Sequence, residues 1–404
     1  MKFCGIDWAD EHHDALTIDE QGHQLGSIRV AHTPEGLSRL DSYLERIAGE
    51  QGREHVACII ETTHGLLITY LLEHHWPVYP VNPRTVDRHR APSGAKTDTI
   101  DAYLLAKTGR ADLADLHRLQ PDDQLIQELK ELTRDQDSLI KTQTRLFNQL
   151  TACLKAYYPA GLIAFSQVEQ PCTLAFLRAY PTPQQARQAT VAELTTLLKQ
   201  GHYPGAQRKA QDLVELLRQP HLTANEVTTR TKSRLLLALL DQLEPLMRQI
   251  ADYDEEIERL FLISEDHDLF QALPGAGTRL APRLLAEIGD DRHRYQSAAS
   301  LQALAGTSPV LFQSGMYAKA HRRLGCIKPL RNALHQFAFH STRLEGWAKQ
   351  YYQRKRAEGK SHTVAVRALA NVWVRILFAV WTKKEAYQTT TFEAAQLAHA
   401  RRIA

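Results

Sequence analysis

Alternation of apolar and polar residues organises the first third of the chain. "KFCGIDWA" at 2–9 is a short apolar strand, and "DALTID" and "SIRVA" flank the turn "EQGHQ", predicting two further strands. In "TPEGLSRLDSYLERIAG" the period becomes that of a helix, with Thr33 as its cap. "HVACII" reads as a buried strand ending in Glu61, "HGLLITYLLEHH" as a helix, "PVYPV" as a strand, and Asp98 to Thr108 as a helix. The order β-β-β-α-β-α-β-α, hairpin first and crossovers after, predicts an α/β domain with a mixed sheet flanked by helices.

The period then changes again. From Pro121 onward, Leu125, Leu129, Leu132, Gln136, Leu139, Gln143, Leu146, Leu150 and Cys153 form a heptad seam. A second seam runs through Leu236, Leu239, Leu243, Leu246, Ile250, Tyr253, Ile257 and Leu260, with Pro245 as an expected kink. Two readings fit, helices of an intrachain bundle or an oligomerising coiled coil. Glutamine on a seam costs stability and fixes register or partner, which favours the coiled coil and a homo-oligomer, a dimer or tetramer. Between the seams, short helices broken at Pro and Gly read as an inserted helical module. The pattern divides the chain into 1–115, 116–265 and 266–404, the last mainly helical. That last region opens with "LFQALPGAGTRLAPRLLAEIGD", two helices around a glycine turn. Gly275 and Gly277 there either make a simple turn or let backbone N–H groups approach a phosphate at a helix N-terminus.

Composition narrows the class. Five scattered cysteines without a CxxC argue against a disulfide framework or a zinc site. The start "MKFCGIDWADEHHD" is charged too early for a signal peptide, and no uncharged apolar run reaches membrane-spanning length. A soluble protein of a reducing cytoplasm, with no membrane partner, is expected. The net charge of +3 conceals an asymmetry: Lys319 to Arg402 carries 17 Lys plus Arg against four Glu and no Asp. An end near +13 on a chain otherwise near −10 points to nucleic acid. Within it, "YYQRKR" sets aromatics beside Arg354, Lys355 and Arg356, a combination that stacks on bases as well as neutralising phosphates. Lys319 and Arg331 belong to the same basic segment.

Candidate chemistry begins at "KTDTID". Asp98 and Asp101, three residues apart on one helix, repel each other unless a cation or a proton lies between them. Acidic residues in a first turn are also ordinary helix starts. Asp7 at the end of the first strand and Glu61 at the end of the fourth meet at one sheet edge, where ligands of open α/β folds gather. Four carboxylates there require cations, and hard oxygen ligands suit Mg²⁺ or Mn²⁺.

"GIDWA", "IIETTHG" and "KTDTIDA" resemble the DEDD motifs of the RuvC-like, RNase H-fold domain in insertion-sequence transposases of the bridge-RNA-guided type. The sugar-kinase and actin-like ATPases also begin near "GID", but they follow it with a glycine- and threonine-rich phosphate turn, where this chain has Trp8, Ala9 and Asp10. Further on, "VLFQSGMYAKAHRRLGCIKPLRNAL" resembles the C-terminal transposase domain of the same family. Gly306 and Pro309, followed five residues later by Ser314-Gly315, keep that domain's interval. The resemblance implies that Asp7, Glu61, Asp98 and Asp101 hold metal and that Ser314 is a nucleophile. It also implies target and donor DNA as substrates, a bridge RNA as guide, and action at the nucleoid. Arg323, Gly325, Leu330 and Arg331 fill the family's next basic-Gly-Leu-Arg positions, with Pro329 and an extra residue intervening. Lys96, Arg322, Arg323 and Lys328 are candidates to offset phosphate charge. The alternatives are a hydrolytic metal-dependent junction nuclease, in which Ser314 is idle, and a non-catalytic nucleic-acid-binding protein.

Overall fold

The computed structural model describes residues 1–63, 65–81, 86, 97–120, 122–315 and 317–394. They cluster as two compact units. One comprises Met1–Asp123 with the short pieces His293–Gln296 and Arg323–Gly325, and the other comprises the rest of the chain from Gln124 onward. The helical middle and the C-terminal region therefore fall within the same unit. Lys96 lies outside the described residues.

In the first unit the predicted order of elements is found. Strands β1 (Lys2–Trp8), β2 (His12–Ile18) and β3 (Gln24–Ala31) precede α1 (Pro34–Ala48). They are followed by β4 (Val56–Ile60), α2 (Leu66–Glu73), β5 (Val78–Pro80) and α3 (Asp98–Asp112). The sheet order is β3-β2-β1-β4-β5, with β1, β2 and β3 antiparallel neighbours and β4 and β5 parallel additions. Thr33 caps α1 as expected, accepting from the Gly36 N–H at 3.1 Å.

The two-residue period of the strands sorts their side chains between two cores. Cys4, Ile6, Ala15, Val30, Cys58 and Ile60 pack with α1 and α2. Phe3, Leu16, Ile18, Ala57 and Ile59 pack with Ala102, Leu105 and Ala106 of α3. By the same parity Asp7, Asp14, Arg29 and Glu61 belong to the α3 face.

In the second unit the two predicted seams lie on α4 (Gln124–Tyr157) and α10 (Glu226–Ile263), and they pack against each other within one chain. The Cys153 thiol lies 3.5 Å from the Lys232 carbonyl, while Gln136 donates to Asp254 Oδ1 at 2.8 Å, so the pair is antiparallel. The buried line on α4 includes Leu129, Gln136, Leu146, Leu150 and Cys153 of the expected seam, together with Ile126, Thr133, Phe147, Leu154 and Tyr157 one residue or more beside it. Gln136 thus meets the chain's own second helix, and the two seams face each other within one chain. The second helix continues through Pro245.

Between them the expected module consists of α5 (Ala160–Ile163), α6 (Pro171–Ala179), α7 (Pro183–Gln188), α8 (Val191–Gln200) and α9 (Ala206–Arg218). It shares one apolar cluster with the adjoining ends of α4 and α10.

The C-terminal region adds α11 (His267–Gln271), α12 (Gly277–Ile288), α13 (Ala298–Leu304), a β6–β7 hairpin (Val310–Ser314 and Tyr317–His321), α14 (Lys328–Ser341), α15 (Gly346–Ala357) and α16 (His362–Lys383). The hairpin is the one departure from a helical region among the described residues. Partly buried ion pairs fasten α12 to α4. Arg134 donates to Glu287 at 2.8 and 3.0 Å, and Arg283 to Asp137 at 2.8 Å. Helix α16 is long and apolar enough to cross a membrane by length and composition alone. Its Trp373 and Trp381 are fully buried, and they donate to Ser341 Oγ at 2.8 Å and to the Gly289 carbonyl at 2.9 Å. Both contacts are those of a core helix.

Candidate metal centre and serine hairpin

The metal centre is positioned by one close approach. A Cβ on Gly5 would sit 2.0 Å from the Ala102 carbonyl oxygen and 2.4 Å from the Ala106 nitrogen, so α3 lies directly on β1 at a residue without a side chain. At the other end of the helix, Gly109 faces Ile59 and Phe3. Travelling from Gly109 to Ala102 along α3 therefore follows β1 from Phe3 to Gly5. The N-terminal turn of α3, with Asp98 and Asp101, continues toward Asp7. Thr97 caps that turn, accepting from the Ile100 N–H at 3.3 Å.

The other carboxylates arrive through strand register. Ile6 pairs with Ile60 in the parallel β1–β4 ladder, so Asp7 and Glu61 leave adjacent strands at the same end and on the same face. Asp7 and Asp14 are direct antiparallel partners, which brings a fifth carboxylate to this end. Asp7, Glu61 and Asp101 are half-buried, and Asp98 is exposed.

The contacts of Asp98 link it to β2 and β3. Arg29 Nη2 donates to Asp98 Oδ2 at 2.8 Å, and Arg29 Nε lies 3.0 Å from both oxygens of Asp14. These bonds, first to Asp14 and then to Asp98, push the Arg29 guanidinium to a higher pKa and keep it charged. His12 Nε2 is 3.4 Å from Asp98 Oδ2 and 3.8 Å from Asp14 Oδ2. Among the described residues, the group whose three ligand atoms lie within 4.8 Å of one another is His12, Asp14 and Asp98. Asp98 thus belongs both to this group and to the expected tetrad.

Among the described residues the ligand atoms that gather are those of His12, Asp14 and Asp98 rather than the four of the expected tetrad, with Asp98 Oδ2 also held by Arg29, and the carboxylate oxygens of this group are hard donors that suit a divalent ion. His12, Asp14 and Arg29 escaped the sequence analysis. The signal was present in "DEHHD", whose alternation puts His12 and Asp14 on the face of Leu16 and Ile18, but it becomes legible only with the β1–β2 register.

In the second unit, Ser314 ends β6 and pairs with Tyr317 across the hairpin tip, next to Gly315 at φ 55°. A glycine suits that left-handed position. Both strands are exposed, with Leu311 at 73%, Phe312 at 57% and Tyr317 at 57% of full exposure, so the hairpin presents apolar side chains that no part of its own unit covers. Lys319 and Arg322 are exposed on and just after β7, Lys328 begins α14, and Arg331 is half-buried one turn later. Arg323 is half-buried and groups with the first unit.

The basic residues of α15 are engaged locally. Lys355 reaches Glu358 at 2.8 Å, Arg356 donates to the Lys360 carbonyl at 2.9 Å, and Arg354 lies over the Tyr351 ring at 5.1 Å. Gly275 has φ 86° and lies against the His340–Ser341 backbone, where a Cβ would be 2.9 Å from a carbonyl carbon. Close packing accounts for that glycine. Gly277 begins α12 with open space around it.

Comparison with known proteins accounts for both ends of the chain. Residues 4–159 match a DEDD transposase domain of the IS110 group, and residues 267–353 match the domain described as "Transposase IS116/IS110/IS902 family". The mini-circle putative transposase for IS117 of Streptomyces coelicolor is 32% identical over 377 residues, covering 91% of each chain. An uncharacterized 44.8 kDa protein of insertion element IS116 from Streptomyces clavuligerus is 30% identical, over 95% of this chain and 96% of its own. The transposase for insertion sequence element IS1111A of Coxiella burnetii is 24% identical over 96% and 92%. Similarity that runs nearly end to end, with one domain match at each end of the chain, means that this chain belongs to the IS116/IS110/IS902 family of transposases.

Proposed function

We propose that this DNA transposase cuts and rejoins strands through a covalent phosphoserine on Ser314, assisted by Mg²⁺ or Mn²⁺ held by Asp7, Glu61, Asp98 and Asp101. The supporting observation is the seating of α3 on Gly5, which carries Asp98 and Asp101 toward the strand ends that bear Asp7 and Glu61. Those carboxylates would hold the divalent ion, which would supply positive charge against the oxygens of a phosphate brought to it. Ser314 Oγ attacks phosphorus, the phosphodiester bond to the 3′ oxygen breaks, and the serine proton is lost as the 3′ oxygen gains one. The strand ends as a serine phosphodiester and a free 3′-hydroxyl. Reversal by another 3′-hydroxyl rejoins DNA without an outside energy source, because the ester is conserved.

Target and donor selection belong to a bridge RNA, with the protein reading backbone shape while base pairing reads sequence. The basic C-terminal segment supports polyanion binding of this kind. Assembly as a dimer or tetramer and action at the nucleoid of a bacterial cytoplasm complete the proposal.

The test is a denaturing gel of labelled cognate DNA with cognate RNA. Wild type should give a protein-linked DNA band that maps to Ser314, and Ser314→Ala should lose both the band and cleavage. Cleavage by Ser314→Ala at the wild-type rate without an adduct would instead establish the hydrolytic nuclease.

A further inference from the structure

Four nitrogen-rich side chains gather where α14, α16 and the foot of the hairpin meet. Arg331 and His335 are one turn apart on α14, so they share a face. Arg367 comes from α16, which packs on α14, and Arg322 directly follows β7. The ring atom Nε2 of His335 and the Nε of Arg367 are both buried and reach no hydrogen-bond partner. Arg331 finds only long contacts, 3.6 Å to the Cys326 sulfur and 3.5 Å to Asn332 Oδ1. No carboxylate among the described residues forms an ion pair with Arg322, Arg331 or Arg367.

Like charges held together without a counterion raise the energy of the free protein, and buried donors without acceptors raise it further. The strain is visible in the proton affinities. Burial, followed by the charges of Arg367, Arg331 and Arg322, pushes His335 down to about 4. Burial with Arg322 and Arg331 also lowers the pKa of Arg367. A single tetrahedral anion would relieve all of this, because it brings negative charge and several acceptor oxygens to the same place.

We infer that Arg322, Arg331, His335 and Arg367 form a pocket for one DNA backbone phosphate, with His335 and Arg367 as ligands that the local sequence does not reveal. The inference rests on the reading of the protein as a DNA strand-transfer enzyme for the identity of the anion and for its spacing from Ser314. The pocket adjoins the base of the hairpin and Ser314 its tip. Four residues of strand separate Ser314 from Val310, about 13 Å at 3.3 Å per residue. With one phosphate per 3.4 Å of duplex axis, a strand following the hairpin would place the bound phosphate about four nucleotides from the one at Ser314.

The experiment pairs affinity with stability, using the full-length protein in EDTA so that binding is read without chemistry. Arg367→Gln and His335→Gln should weaken binding of cognate duplex DNA, about tenfold for Arg367→Gln, whose salt dependence should also lose about one unit of slope. The melting temperature of each nucleic-acid-free variant should equal or exceed that of wild type, because a source of repulsion or an orphan donor is gone. Inorganic phosphate should raise the melting temperature of wild type and not that of Arg367→Gln. Arg375→Gln, an exposed arginine on the same helix, controls for lost net charge and should bind DNA nearly as wild type does. Methylphosphonate substitution, one phosphate at a time, should cost wild type most about four nucleotides from the cleavage site and cost Arg367→Gln nothing extra there.

The inference is overturned by variants that melt lower and bind DNA normally, which would make the cluster structural. It is equally overturned if RNA binding falls while DNA binding holds. Failure of the Ser314 adduct would leave these binding results standing, and failure here would leave the adduct standing.

Discussion

Replacing Gly5 by Ala is the sharpest probe of the metal centre, because the change is one methyl group that replaces none of the proposed ligands. That methyl would lie 2.0 Å from the Ala102 oxygen, 2.4 Å from the Ala106 nitrogen and 2.8 Å from Leu105 Cβ. Real Cβ contacts do not fall below 3.0 Å, and two of these three partners are helix backbone, which cannot rotate aside. Helix α3 must therefore retreat from β1 by about 1 Å. Overpacking of this kind costs about 1–3 kcal/mol. The same displacement carries Asp98 and Asp101 away from Asp7 and Glu61, and a 1 Å misplacement in a catalytic constellation costs on the order of 10²-fold in rate. The assay is strand cleavage across a Mn²⁺ titration, with thermal unfolding in parallel. The expected result is a raised metal requirement, cleavage reduced about 100-fold, and a lowered but cooperative melting transition. Gly346→Ala is the control, since nothing lies within 4 Å of its Cβ position and alanine suits a helix start at least as well. Wild-type cleavage and stability in Gly5→Ala would refute the claim that this contact positions the carboxylates.

Three further outcomes follow from the packing. Leu150→Asp, at a fully buried position between the long helices, should lower the melting temperature strongly while light scattering gives the wild-type subunit number; a change in mass at intact stability would mean that the seam joins subunits. Glu287→Ala should cost about 1.5–3 kcal/mol in urea unfolding, because it removes the buried acceptor of two Arg134 hydrogen bonds. Acid sensitivity should report His13, whose pKa is pushed down to about 4, by burial first and then by His32 and His12. Between pH 6.5 and 4 the unfolded chain takes up a proton there and the folded one does not, so stability is full above 6.5 and is lost as pH falls. A melting profile over that range should be flatter for His13→Asn, and an unchanged slope would remove His13 from the account.

The N-terminal domain was legible because each strand buries both faces or alternates cleanly, and because Thr33 marks the start of its helix. The glycine that seats α3 was quoted in "GIDWA" without its purpose being evident, since close approach is a property of two elements. His12, Asp14 and Arg29 were missed for a related reason, that strand register decides which polar residues meet. "VLFQSGMYAKAH" gave no strand signal because both of its faces are exposed, and alternation appears only where one face is buried. The seams were legible nearly in register, but the partner of Gln136 was not, since the residue looks the same whether Asp254 comes from another subunit or from 118 residues further along the chain. Arg367 and His335 lie in separate amphipathic helices, and only packing makes them neighbours.

The antiparallel pairing of α4 and α10 makes the segment between them interchangeable in a mechanical sense. The module leaves the end of one long helix and returns at the start of the other, and those ends are already side by side where Cys153 meets Lys232. The polar contact that sets the alignment, Gln136 with Asp254, lies about 25 Å away along the helix at 1.5 Å per residue. A different domain, or a peptide tag, fused at the exposed Leu222 in the loop before α10 would lengthen the tip without sliding one helix past the other. Residues 219–224 are thus a natural attachment point for a fluorophore that reports on the assembled protein.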